Sequence, residues 1–314
     1  MQESRTAADA DQVELAAIRG ASSVVDQAAQ DELVSGELDD DSEIAAAENR
    51  GGGENARTAW QERDLAQEEI VGAAAQEIRD RIQHLGSAYP FQFQGNKLAY
   101  TPSQTGFYEF CLATATAPTI TADPFTSFPK YFERVVAVLV KIYFGPKKGA
   151  LHTGWPRVPT TRFRQALAPM ARNSKEWVWS PEEGLDEDPP YTVVKDETVD
   201  FIVTANMMDA RPGNLYILGQ CACGNNWDTK LQEPDLERIR KWFKPPWLVP
   251  PVKAFTTPFV FGAETIRETS RNSKAIVFDR VRLVLIAENL MPSRYQISVQ
   301  RRLAPITNLV TSIV

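Results

Sequence analysis

Cysteine and histidine are scarce in this chain, with three Cys and two His among 314 residues. Cys111, Cys221 and Cys223 are too few for a disulfide framework and read as reduced thiols in or near a core. A four-ligand zinc site would have to draw on nearly every Cys and His in the chain, and no metal spacing joins them. A cysteine nucleophile paired with His152 has no supporting spacing either. His84 falls at the end of a helical pattern and reads as a cap or surface group. No run of about 18 apolar residues occurs, and the opening M-Q-E-S-R-T-A-A-D-A has neither the basic nor the apolar part of a signal peptide. The expectation is a cytoplasmic protein with no membrane association. Walker A, GxGxxG, HExxH and GxSxG patterns are all missing, as is any internal repeat.

Charge is unevenly spread. The formal net charge is -7, yet residues 1–50 hold 13 acids against 3 bases and the rest of the chain 28 against 31. The acidity therefore belongs to the first segment, and the remainder is mildly basic, which permits nucleic-acid binding. Residues 1–56 are rich in Ala, Asp, Glu, Gln and Ser, include the acidic run Glu37 to Asp41, and end in a Gly51-Gly52-Gly53 linker. They read as an acidic, partly helical and partly disordered extension: a solvated tail, or a segment that competes with DNA phosphates for a basic groove.

Residues 57–127 read as a helical and hairpin region. Apolar positions from Trp60 to Leu85 recur at helical spacing, and Gly95-Asn96 marks a turn between two short strands ending at Tyr100. The stretch from Thr105 to Ala113 fits helix or strand, and Ala117 to Pro129 a loop. Phe128 to Gly145 is an amphipathic helix with Phe132, Val135, Val136, Leu139 and Tyr143 as its stripe. From Gly145 to Pro190, Lys147, Lys148, His152, Arg157, Arg162 and Arg164 alternate with Trp155, Trp177 and Trp179, a mixture that could follow a phosphate backbone or simply anchor a surface. Beyond Lys230 the pattern gives a helix over Asp235 to Phe243, strands over Lys253 to Phe261 and Ala275 to Asp279, and a helix over Arg280 to Asn289. Ile297 to Val314 carries no pattern that assigns it.

The chain is organised around Val199 to Lys230. Phe201 to Ala205 and Leu215 to Leu218 have strand composition, with an Asp-Ala-Arg-Pro-Gly-Asn turn between them. Antiparallel pairing brings Asp200, before the first strand, and Gln220, after the last apolar residue of the second, to one edge. Asp196 competes with Asp200, but Asp200 abuts the strand. Cys221 to Cys223 continues the second strand until Gly224-Asn225-Asn226 breaks it, and a polar helical start then carries Trp227 and Lys230.

This order of acid, strand, turn, strand and Gln resembles the core of the PD-(D/E)xK, or restriction-endonuclease-like, nucleases, in particular the Mrr-like branch. Glu133, following Phe132, matches the Phe-Glu helix that opens the core in that branch. The chain departs from the pattern at Ala222, where the family usually has Lys, and Lys230 is the nearest candidate for a migrated lysine. The resemblance implies an α/β restriction-endonuclease-like core over 128–289, a mixed sheet flanked by helices, followed by a segment 290–314. It implies a metal-dependent DNA endonuclease of restriction or anti-phage defence with Asp200, Gln220, Lys230 and Glu133 as catalytic residues. Mg²⁺ or Mn²⁺ would be held by Asp200, Gln220, the Cys221 carbonyl and Glu133. The partners it implies are DNA and proteins of a defence system; a homo-oligomer stays open. Two alternatives stay open beside it: a lapsed nuclease-like fold that binds nucleic acid, and a protein-interaction subunit.

Overall fold

The computed structural model describes residues 2–20, 53–95, 97–145, 149–154, 163–174, 176, 197–205, 209, 211–240, 242–243 and 247–312. Asp196, the Lys147-Lys148 pair, the acidic run at 37–41, Trp155, Trp177 and Trp179 lie outside these residues. The protein is mixed α/β, with a five-stranded sheet flanked by helices. Among the described residues no helix is long and apolar enough to cross a membrane.

The helical layer begins with α1 (Gln2–Ile18) and α2 (Gly53–Leu85), followed by the hairpin β1 (Phe91–Gln94) and β2 (Lys97–Tyr100), then α3 (Phe107–Thr116). Helix α4 (Phe128–Phe144) starts with a proline in its first turn and stops at Gly145, whose φ of 116° suits a residue without a Cβ. Its buried face is Phe128, Phe132, Val136, Ala137, Leu139 and Val140. Tyr143 is 53% exposed and so leaves the expected stripe; its ring lies against Phe144 and Phe278 instead.

The sheet follows in the order β3 (Gly149–His152), β4 (Phe201–Ala205), β5 (Leu215–Cys221), β6 (Val252–Thr256) and β7 (Ala275–Phe278). β3, β4 and β5 are antiparallel neighbours, whereas β6 joins β5 and β7 joins β6 in parallel. The parallel step from β6 to β7 needs a crossover, and α7 (Ala263–Ser273) supplies it. Before it come α5 (Phe163–Ser174) and the short α6 (Leu236–Arg240); after it, α8 (Arg280–Leu290) and α9 (Ser293–Thr311). Asp279 caps α8 by accepting a hydrogen bond from the Arg282 amide at 3.1 Å.

Alternation along the strands divides the core. Phe201, Val203, Ile217, Cys221 and Cys223 face α4 and the helical layer, in one cluster that also takes in residues of α1, α2, α3, α8 and α9. Ile202, Tyr216 and Leu218 face the other way onto Phe163, Trp242 and Phe243. Ala222 packs with Phe255, Val277 and Phe261. The first cluster crosses the boundaries expected near 56, 127 and 289.

The first helix departs from its expectation. Residues 2–18 are not a solvated tail: Ala7, Ala10, Val13, Leu15 and Ala17 are buried. Two of its acids, Asp11 and Glu14, are buried too. Asp11 accepts from Arg280 through both oxygens at 2.7 Å and from Arg81 at 2.7 Å, and Glu14 accepts from Arg81 at 2.7 Å. Composition marks these carboxylates as solvated, and their partners lie far away in sequence.

Candidate active site

The ends of β3, β4 and β5 are tied together at one edge. The Thr153 and Gly154 amides donate to the Asp200 carbonyl at 2.8 and 2.9 Å, and the Asp200 amide donates to the Gly219 carbonyl at 2.9 Å. Phe201 is already the register partner of Gly219, so Asp200 is offset from simple pairing with Gln220. Its carboxylate accepts from the Cys221 amide at 2.7 Å. The chain enters β4 through two left-handed residues, Glu197 at φ 51° and Thr198 at φ 61°. A β-branched residue there is strained, and such strain gathers at functional sites.

Glu133 reaches the same edge from the second turn of α4. Phe132 beside it is buried in the core, which turns the carboxylate along the rim, where its Oε2 lies 2.9 Å from His152 Nε2. Gly154 closes over this pair, because a Cβ there would stand 2.3 Å from Glu133 Oε2 and 3.0 Å from His152 Nε2. His152 is a functional candidate that the sequence pattern presents only as one basic group among several. Its partner is 19 residues away, and no local spacing signals the contact.

Lys230 ends the 3-10 turn Trp227–Lys230 that follows β5. Among the described residues it makes no ion pair, but its charge reaches the Cys223 thiol together with those of Glu133 and Asp200. Burial pushes the Cys221 and Cys223 thiols well up, and the carboxylates of Asp200 and Glu133 push them further. Both thiols therefore stay protonated at neutral pH, a poor state for a nucleophile or a soft-metal ligand.

Gln220 stands apart from this group. By strand alternation its side chain shares the face of Leu218 and Ala222, away from α4. It is 3% exposed; its Nε2 donates to the Cys221 carbonyl at 3.3 Å, and its Oε1 has no partner among the described residues. Asp200, Glu133 and His152 thus stand together beside Gly154, and Lys230 follows on the turn after β5, whereas the Gln220 amide donates to the Cys221 carbonyl. Among the described residues no three His, Cys, Asp or Glu side chains form a group that could hold a metal.

Comparison with protein-family models, with curated proteins and with solved structures gives no match. The functional reading therefore rests on the site and on the sequence resemblance.

Proposed function

We propose that this chain is a divalent-metal-dependent DNA endonuclease on a restriction-endonuclease-like core. The observation that carries the reading is that two carboxylates stand at the end of β5, Asp200 against the Cys221 amide and Glu133 against His152 beside Gly154, whose amide donates to the Asp200 carbonyl. The succession of α4, three antiparallel strands, then parallel strands with a crossover helix supports it, since the resemblance implies a mixed sheet flanked by helices. A role in restriction or anti-phage defence belongs to the same proposal and rests on that resemblance.

Mg²⁺ keeps most of its waters and accepts one or two protein carboxylates, so Asp200 and Glu133 suffice as its ligands here without Gln220. When bound, the ion supplies an activated water and neutralises charge on the phosphate. His152 holds the Glu133 carboxylate in place. The Cys221 amide does the same for Asp200. Lys230 would orient the attacking water or stabilise the developing charge.

Cleavage of plasmid DNA with Mg²⁺ or Mn²⁺ tests this reading, with Asp200→Ala, Glu133→Ala and Lys230→Ala as variants. Each is expected to lose roughly a hundredfold or more in rate, as for loss of one charge-stabilising group. Cutting that survives Asp200→Ala would overturn the assignment. A lapsed nuclease is the second reading, favoured by Cys221 and Cys223 occupying the side of β5 that faces α4. Salt-sensitive DNA binding without cleavage by the wild type would select it.

A further inference from the structure

A cavity of about 350 Å³ lies between α1, the end of α3 and the turn after β5. Trp227 and Phe261 line it, their rings 4.6 Å apart, and exposed Ala8 lines it from α1. Gln12 and Asn225 add two side-chain amides. We propose that this cavity receives one unstacked nucleobase of a DNA strand, an inference that rests on the nuclease reading for the source of the base.

Four features select that occupant. The volume lies at the small end of ligand pockets, which fits one base or nucleotide and excludes a duplex. The indole gives a planar apolar surface on which any base can stack. Amide side chains both donate and accept, as base edges do. Asp11 also lines the cavity, its carboxylate held by Arg81 and Arg280. Arg5 lines it as well, so the wall carries one charge of each sign and suits a neutral ring better than a free anion. Placement agrees with the chemistry, because Trp227 begins the same 3-10 turn that Lys230 ends. Lys230 therefore stands one turn along the chain from a base stacked on Trp227.

The test measures binding of the full chain in EDTA to a short labelled single-stranded oligonucleotide and to the same backbone without bases. The intact oligonucleotide is expected to bind roughly tenfold or more tightly, in line with one stacked base. Ala8→Trp, which fills the cavity mouth from an exposed position, and Trp227→Ala should abolish that difference, and Trp227→Phe should restore most of it. Calorimetry with dAMP and TMP separates the sources: mononucleotide binding blocked by Ala8→Trp, with no preference for the base-bearing strand, would assign the cavity to a free nucleotide. Equal binding of both strands together with no mononucleotide binding, or a preference unchanged by Ala8→Trp, would overturn the proposal. Because EDTA prevents cleavage, the two readings fail separately. Base-dependent binding without Mg²⁺-dependent cutting removes the nuclease and leaves the pocket, whereas cutting without base dependence removes only the pocket.

Discussion

Gly219 and Phe201 face each other across β4 and β5, and the Phe201 ring fills the space that a side chain at 219 would need: a Cβ there would stand 2.0 Å from the ring's Cζ. The ring is fully buried and belongs to the cluster beneath α4, so it has nowhere to retreat. Gly219→Ala is therefore expected to destabilise the fold by about 1–3 kcal/mol, the usual cost of overpacking. Urea unfolding should show a lower midpoint with an unchanged slope. An unchanged midpoint would mean that β4 and β5 are not packed in this register.

Gly154 offers a more local perturbation. The Cβ of an alanine would displace the Glu133 carboxylate from His152. Under the nuclease reading, Gly154→Ala should reduce DNA cleavage by roughly a hundredfold, since a displacement of about 1 Å costs that much in a positioned site. Its thermal midpoint should stay close to wild type. A matched loss of stability and activity would instead make Gly154 a folding residue.

The sequence exposes those parts of the fold in which local chemistry and tertiary burial agree. The strands at Phe201 and Leu215, the helix stopped by Gly145, and the strand and helix on either side of Asp279 all carry their own patterns. His152 and Glu133 meet only because β3 pairs with β4 under α4, an arrangement that no spacing encodes. Gln220 lies opposite Asp200 when the hairpin is read as a ribbon, but the backbone offset at Asp200, whose amide donates to the Gly219 carbonyl, takes the two side chains out of register. Residues 293–311 form α9 despite Pro305 within the helix, which masks the pattern. Helix α1 is the largest miss: its acids are stabilised by arginines at positions 81 and 280.

Glu14 makes stability depend on pH. Burial pushes its carboxyl above the ordinary 4.5, more than Arg81 pulls it down. The folded chain then holds this proton more tightly than the unfolded chain, so stability falls as pH rises from about 4.5 through the folded pKa. Tyr89 and Tyr108 both donate to the carboxylate, and an amide can accept in its place. Glu14→Gln should flatten the decline in unfolding free energy over that window. An identical pH profile in the variant would remove Glu14 as its source.

Asp11 joins α1 to the rest of the protein, and its effect can be separated from that of Glu14. Burial opposes ionisation of its carboxyl, yet Arg280 and Arg81 together hold its pKa below the ordinary value. Asp11→Ala would leave both guanidinium groups buried with Glu14 as the remaining carboxylate between them, at a cost of about 3–5 kcal/mol. Arg280→Met removes the other end of the bidentate pair. The double variant should be less destabilised than the sum of the two single ones, by about 1–3 kcal/mol, because it removes both charges together. Additive losses would mean that the pair does not form in solution. The outcome also bears on function, since α1 carries one wall of the cavity beside Trp227. If Asp11 holds that helix in place, Asp11→Ala should weaken base-dependent binding of DNA even at temperatures where the sheet remains folded.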